Sequence, residues 1–267
     1  LLCRPAAGKR GECFQGQTQH HRGCRPDRQA GGVGLVGARR FQRRKLAGPP
    51  AGRHAMGLSI AQAGGPFVLA GNAVEQPEPP GLPAPLAEIT RTPRRYGFHA
   101  TIKPPFRLAE GQGAEALNDA LAALCDQMPP VTLDGLAVSR LGRFLALLPT
   151  GDTAQLNGLA AMVVETLDAF RAPASEDELQ HRRATGLTPA QEALLTRWGY
   201  PYVMQEFRFH MTLTGKLPKA QIAPVQAVLA DALADMLPAP FVIDGLSLVG
   251  EDADGRFHLL HRHILSA

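Results

Sequence analysis

Two stretches of the chain, 111 positions apart, alternate between apolar and polar residues. The first places His99 and Thr101 between apolar neighbours, and the second does the same with His210 and Thr212. A period of two residues is typical of a β-strand with one buried face. Each stretch is therefore predicted to be a strand with a His-x-Thr triplet on its polar face. The predicted strands cover residues 95–103 and 206–214.

The two stretches belong to a longer internal repeat. Each is followed by an apolar pattern of helical period, then by a strand built on Asp-Gly-Leu, then by a strand that opens with Arg-Phe. A repeated supersecondary unit predicts two pseudo-symmetric lobes. We therefore predict an α+β fold, a two-lobed duplication of strand-helix-strand-strand with antiparallel sheets flanking a central cleft. The predicted boundaries are lobe one at about 95–170, an insertion at 171–202 and lobe two at about 203–267.

Element boundaries follow from the same patterns and from local breaker residues. Thr188 followed by Pro189 predicts a capped helix start inside the insertion, and Gly142 predicts a tight turn between two strands. Pro104 and Pro105 are expected to end the first motif strand. The remaining predicted elements are helices at 110–128, 153–170 and 219–236 and strands at 131–141, 143–149, 240–249 and 256–265.

The segment before the repeats has a different composition. Residues 1–55 contain 12 Lys or Arg and 2 Asp or Glu, and they show neither a helical nor a strand period. Such a segment cannot bury enough apolar surface to offset the entropy of ordering it. We therefore expect residues 1–70 to be disordered or to result from translation in a shifted reading frame. The folded domain is predicted to cover 71–267.

Cysteine usage and hydropathy narrow the class of protein further. Cys3, Cys13, Cys24 and Cys125 form no C-x-x-C pair, which favours neither a disulfide framework nor a zinc ribbon. The longest uncharged run, at 55–74, contains proline, asparagine and glutamine, which a membrane span disfavours. We therefore expect a soluble, cytoplasmic monomer that does not contact membranes.

The paired triplets carry the candidate chemistry. If the two motif faces meet, His99 and His210 lie on either side of a bound phosphodiester, one removing a proton from water and the other giving one to the leaving oxygen. Thr101 and Thr212 would hold the nonbridging oxygens. No cofactor or metal is required by this chemistry.

Four further residues are predicted to contact the substrate. Lys103 and Arg208 share the polar faces of the motif strands and would add positive charge. Tyr96 and Tyr202 are expected to line the cleft, although packing in the core explains a tyrosine equally well. His261 and His263 have a spacing that can bind zinc, but no acidic or cysteine partner is near them in the sequence.

The motifs resemble those of the two-histidine phosphoesterase superfamily, which includes cyclic nucleotide phosphodiesterases. The runs Arg-Arg-Tyr-Gly-Phe-His-Ala-Thr-Ile-Lys at 94–103 and Phe-Arg-Phe-His-Met-Thr-Leu-Thr-Gly at 207–215 are similar to its phosphonate-metabolism branch, domain of unknown function 1045. The resemblance implies a cyclic ribose phosphate as substrate. It also implies a short first strand near the chain start, for which only residues 67–70 offer an apolar run.

The sequence thus predicts a metal-independent phosphoesterase that opens a cyclic phosphodiester of a nucleotide or phosphorylated sugar. Its predicted partner is a small phosphorylated substrate, with nucleic acid entering only as an RNA end. The alternatives are a catalytically silent protein that binds a phosphate ligand or an RNA end, and a metal-dependent hydrolase.

Overall fold

The computed structural model describes residues 56–60, 78–95, 97–253, 255 and 257–267. The helices within these residues are α1 (Leu86–Ile89), α2 (Ala114–Cys125), α3 (Ala154–Thr166), α4 (Glu176–Arg183), α5 (Pro189–Trp198) and α6 (Lys219–Leu233). The strands are β1 (Met56–Ile60), β2 (Ala100–Phe106), β3 (Val131–Leu133), β4 (Gly135–Leu141), β5 (Phe144–Thr150), β6 (Met211–Thr212), β7 (Phe241–Ile243), β8 (Gly245–Glu251) and β9 (Phe257–Ile264). No helix in this part of the chain is long and apolar enough to span a membrane.

Seven of the described strands form one antiparallel sheet in the order β4-β5-β6-β2-β1-β8-β9, and β3 pairs with β7 in a second sheet. The predicted α+β fold with antiparallel sheets is therefore confirmed. The strands of the two copies interleave in the larger sheet. β2 of the first copy lies on the side of β8 and β9, whereas β6 of the second copy pairs with β5. As a result, the two motif strands are neighbours in the middle of the sheet.

The core lies between the larger sheet and its helices. Ala100, Ile102 and Met211 are almost fully buried, and they belong to the same apolar cluster as the buried leucines of α2, α3 and α6. Successive side chains of a strand point to opposite faces. Because the helices cover the face of Ala100 and Met211, the motif histidines and threonines lie on the other face.

The Asp-Gly pairs of the repeat mark the points where the chain changes sheets. Asp134 separates β3 from β4, and Asp244 separates β7 from β8. The predicted continuous strands at 131–141 and 240–249 are therefore each divided in two. The short first pieces pair with each other, with Val131 opposite Ile243, while the longer pieces join the larger sheet.

The extents of the two motif strands differ from those predicted. β2 continues through Pro104 and Pro105, because β6 bonds to β2 only at Ala100 among the described residues and leaves the later part of that edge open. β6 is only two residues long, and a 3-10 turn occupies Met204–Glu206, where the sequence predicts the start of the strand.

Five residues of the segment 1–70, which the sequence predicts to be disordered or mistranslated, form a strand. Met56–Ile60 forms β1, which pairs with both β2 and β8. Its alternation of apolar and polar residues is only five residues long, too short to stand out beside a basic segment. Residues 67–70 and the rest of the segment 1–70 lie outside the described residues.

The insertion at 171–202 forms α4 and α5, each beginning with a complete capping box. Ser175 caps α4 through Glu178, and Thr188 caps α5 through Gln191 with Pro189 at the first helical position. The predicted start of the insertion helix is thus confirmed. Leu194 of α5 packs with Val164 and Val203 in a small separate apolar cluster, which attaches the insertion to α3.

Two glycines that flank β5 offer a matched test of packing. Gly142 and Gly151 both have positive φ, +61° and +76°, where any side chain costs about 1–2 kcal/mol. A Cβ at Gly142 would meet nothing within 4 Å, whereas at Gly151 it would overlap the Asp134 carboxylate. We expect Gly151→Ala to lower the free energy of unfolding more than Gly142→Ala in urea titrations. Equal losses would show that Asp134 moves aside freely.

Candidate active site

The two motifs come together through one pair of residues in the middle of the larger sheet. Ala100 of β2 lies opposite Met211 of β6 in an antiparallel ladder. Continuing that register by one residue in each direction places His99 opposite Thr212 and Thr101 opposite His210. Residues directly opposite in an antiparallel pair point to the same face. All four motif side chains therefore lie on the face away from the helices.

In a ladder of regular geometry the Cα atoms of these four residues mark the corners of a rectangle. Its sides are about 5 Å across the ladder and about 7 Å along each strand. The histidines occupy one diagonal and the threonines the other. An antiparallel ladder has a local twofold axis perpendicular to the sheet, and this axis passes between Ala100 and Met211. The ladder itself therefore supplies the pseudo-twofold relation between the two motifs.

Both imidazoles are tied to the main chain in the same way. His99 Nδ1 is 3.2 Å from the carbonyl oxygen of Gly97, and His210 Nδ1 is 2.8 Å from that of Arg208. A carbonyl oxygen only accepts hydrogen bonds, so each Nδ1 carries a hydrogen and donates it. In the neutral imidazole the Nε2 atom of each ring is then the nitrogen that accepts hydrogen bonds.

The two threonines differ in their hydrogen bonding. Thr101 Oγ1 is 3.2 Å from His99 Nε2, whereas no hydrogen bond of the Thr212 hydroxyl links it to a described residue. Both side chains are half-buried, as are both histidines. Because His99 Nδ1 carries the hydrogen, the Thr101 hydroxyl donates to Nε2 when the imidazole is neutral, and it can turn to a ligand oxygen when Nε2 is protonated.

Lys103 is not placed on the face predicted for it. β1 pairs Ser59 with Thr101 but Leu58 with Lys103, and this register shift inserts an extra residue in β2 between the two pairs. A bulge of one residue turns the following side chain to the other face. Lys103 Nζ consequently donates to the Val164 carbonyl at 3.1 Å and to Asp168 at 3.3 Å.

Lys103 instead forms part of a buried ion network. Its side chain is only 3% exposed, and Asp168 also accepts two hydrogen bonds from Arg171 at 2.8 and 3.0 Å. Burial lowers the pKa of Lys103, against the opposing charge of Asp168. Burial alone would raise the pKa of Asp168, but the hydrogen bonds from Arg171 and the charge of Lys103 outweigh it and lower that pKa. Lys103 therefore anchors β2 to α3 and does not lie on the face of the motif histidines.

The other predicted substrate contacts have different placements. Arg208 is exposed, and its side chain has no hydrogen bond or ion pair with any residue that the structure describes. Tyr202 is 45% exposed and its ring lies edge-on to Tyr200, with the ring centres 5.8 Å apart. Tyr96 lies outside the described residues. Arg208 thus has the accessibility that a phosphate contact needs, two positions before His210.

Sequence reasoning missed two aromatic residues that contact the histidines. The ring centres of Phe144 and His210 are 5.9 Å apart, and those of Phe257 and His99 are 5.4 Å apart. The signal was present in the repeated Arg-Phe dipeptide that opens β5 and β9. It could not be interpreted from sequence because each phenylalanine contacts the histidine of the other copy.

The structure also gives a place for the remaining histidines considered as metal ligands. His261 and His263 have ring centres 6.3 Å apart, and His263 Nε2 is 2.8 Å from Asn118 Oδ1 on α2. Among the described residues, no group of three or more His, Cys, Asp or Glu side chains is placed to hold a metal ion.

Comparison with known proteins gives one family match and two curated relatives. The model of the family described as "Protein of unknown function (DUF1045)" matches residues 101–258. Two proteins named "Ribose 1,5-bisphosphate phosphokinase PhnN" are similar in sequence. That of Janthinobacterium sp. (strain Marseille) is 40% identical over 206 residues, 73% of this chain and 45% of that protein. That of Laribacter hongkongensis (strain HLHK9) is 36% identical over 177 residues, 66% and 41% respectively. The chain thus spans less than half the length of these relatives.

Two solved structures are also similar over most of the chain. A protein described as a phosphoesterase covers 81% of this chain and 100% of its own, with a TM-score of 0.36 and 15% identity. The E. coli LigT complex with 3′-AMP covers the same shares, with a TM-score of 0.38 and 14% identity.

Proposed function

Since this chain belongs to the DUF1045 family, whose function is unknown, we propose an activity from the chemistry of its own site, a phosphoesterase that opens a cyclic phosphodiester. The observation that carries the proposal is the pairing of Ala100 with Met211. This pairing puts two imidazoles and two hydroxyls on one face, with the imidazoles on a diagonal. A tetrahedral phosphorus centred over the rectangle has one imidazole on each side of it.

In the proposed reaction a water oxygen attacks the phosphorus in line with the bond that breaks. One neutral imidazole accepts the water proton at Nε2, while the opposite imidazolium donates its Nε2 proton to the leaving alkoxide oxygen. The ring P–O bond breaks as the new P–O bond forms, and the product is a phosphomonoester. The imidazoles have then exchanged protonation states, which proton exchange with solvent restores.

The other residues of this face stabilise charge on the phosphoryl group. The hydroxyls of Thr101 and Thr212, on the other diagonal, donate to the two nonbridging oxygens as negative charge develops. The Arg208 guanidinium is accessible and close in sequence to His210, so it adds a charge-assisted hydrogen bond to a phosphate oxygen. The main-chain bonds to both Nδ1 atoms support the mechanism, because they hold the imidazoles in one tautomer.

The names of the curated relatives favour a phosphorylated ribose as substrate. They refer to ribose 1,5-bisphosphate, and the resemblance of the motifs to a phosphonate-metabolism branch agrees with a phosphorylated sugar. The relatives are named as kinases, yet this sequence contains no G-x-x-x-x-G-K-[ST] run, which is one common phosphate-binding loop of ATP-dependent enzymes. A cyclic phosphodiester on ribose is therefore the proposed substrate.

Turnover of a panel of cyclic phosphodiesters tests the proposal. The panel contains 2′,3′-cyclic nucleotides and 1,2-cyclic ribose phosphates, each assayed with and without a chelator and with and without ATP. We expect release of a phosphomonoester that neither chelator nor ATP changes. Loss on chelation would instead indicate a metal-dependent hydrolase, tight binding without turnover a silent phosphate-binding protein, and phosphate transfer from ATP a kinase.

A further inference from the structure

We infer that Phe144 and Phe257 are positioning residues, each of which fixes the imidazole supplied by the other copy of the repeat. The ring contacts alone support the claim that the imidazoles are fixed in place. The expected loss of kcat rests in addition on the proposed function. Phe144 opens β5 in the first copy and contacts His210 of the second. Phe257 opens β9 in the second copy and contacts His99 of the first.

The two contacts are alike in geometry. Their ring centres are 5.9 and 5.4 Å apart, and their planes are inclined at 52° and 54°. Tilted rings at this distance attract one another through their charge distributions. Equivalent contacts in two halves of unequal sequence indicate that each phenylalanine serves the imidazole it contacts, which belongs to the other half.

The ring contact supplies a restraint that the main-chain bond cannot. The bond from His210 Nδ1 to the Arg208 carbonyl fixes one edge of the ring, but a hydrogen bond to a carbonyl tolerates a broad range of angles, so some rotation of the ring remains. A phenylalanine ring against the imidazole limits this rotation and so fixes the direction of Nε2. The proton transfer needs Nε2 within hydrogen-bond reach of the water or the leaving oxygen.

The residue before Phe144 anchors the same arrangement. The Arg143 guanidinium donates to the Leu217 carbonyl at 3.4 and 3.2 Å, and Leu217 N donates back to the Arg143 carbonyl at 2.7 Å. The Leu145 N–H donates to the Thr214 hydroxyl at 3.0 Å. These bonds join the start of β5 to the chain that leaves the second motif. Arg143 therefore holds the chain that leaves the second motif. Phe144 holds the His210 imidazole of that motif.

The kinetic test uses Phe144→Leu and Phe257→Leu, with Phe170→Leu as a matched control. All three rings are half-buried, but Phe170 packs against the core, and the described ring contacts of the two histidines are with Phe257 and Phe144. We expect each of the first two changes to lower kcat on the cyclic substrate by about tenfold or more with KM unchanged, because misplacement of a catalytic group acts on the transition state. Phe144→Tyr should keep most of the activity. A raised KM with unchanged kcat would make Phe144 a substrate contact and overturn the inference.

A spectroscopic test works even if the protein hydrolyses none of the substrates tried. The NMR signals of the ring protons of His99 and His210 are assigned from the two single histidine variants. Phe144→Leu is expected to move the His210 ring signals and leave those of His99 in place, and Phe257→Leu should do the reverse. Phe170→Leu should move neither set. Unmoved signals in both phenylalanine variants would overturn the inference, whatever the outcome of the substrate panel.

Discussion

Replacing His210 by alanine is expected to lower the rate of cyclic phosphodiester opening by about 10² to 10⁴. In the proposed mechanism this imidazole is one of the two groups that move a proton. Replacing His99 should lower the rate by a similar factor, because the two imidazoles occupy equivalent corners of the rectangle. The measurement is initial rate at saturating cyclic substrate, with His261→Ala as control.

The control and the double variant sharpen this result. His261 is an exposed histidine on β9, so its loss should leave the rate unchanged. Catalytic groups that act as a unit have non-additive effects. The variant lacking both His99 and His210 should therefore be little slower than either single variant. An unchanged rate in one single variant would remove that histidine from the proposed mechanism, and a normal rate in both would refute it.

Replacing Asp168 by asparagine is expected to lower the free energy of unfolding by about 3 kcal/mol. The change leaves the Lys103 ammonium buried beside the Val164 carbonyl without its counter-charge. Lys103→Met is the matched variant. It removes the buried charge, while Asp168 keeps its two hydrogen bonds to Arg171. The loss from Lys103→Met should be smaller, and urea titration of both variants measures the difference.

The same ion network predicts how this difference depends on pH. The pKa of Asp168 lies below its ordinary value of 3.8 in the folded protein. The charged carboxylate therefore contributes stability above that ordinary value, and the contribution is lost as the pH falls through the folded pKa. The gap between the wild type and Asp168→Asn should be constant near neutral pH and narrow in acid. A gap that widens in acid, or a larger loss from Lys103→Met, would contradict the network.

The elements that the sequence predicts best are those whose patterns are local. Helix starts such as Thr188-Pro189 depend on residues within one turn, and the His-x-Thr faces depend on a period of two. The placement of Lys103 depends on a register shift against β1, a strand 40 residues earlier in the chain. No pattern within β2 contains that information, so the alternation of its own residues gave Lys103 the wrong face.

The site shows the same limit in the contacts between copies. The repeat predicts one histidine and one threonine from each half, but it does not say which residues of one half touch the other. Phe144 and His210 are 66 positions apart and meet only because β5 pairs with β6. The division of the predicted strands at Asp134 and Asp244 has a similar cause, because β3 and β7 find their partners in each other.

The local twofold axis between Ala100 and Met211 has a consequence for how such a site is assembled. Two identical strands can pair with each other across such an axis, so a protein with a single copy of the motif would obtain four equivalent side chains only by forming a homodimer. Its site would then appear and vanish with protein concentration, because association costs translational and rotational freedom. Joining the two copies in one chain removes that cost. The rectangle therefore forms at any dilution, and its two halves are free to diverge, so that opposite ends of an asymmetric substrate can meet different side chains.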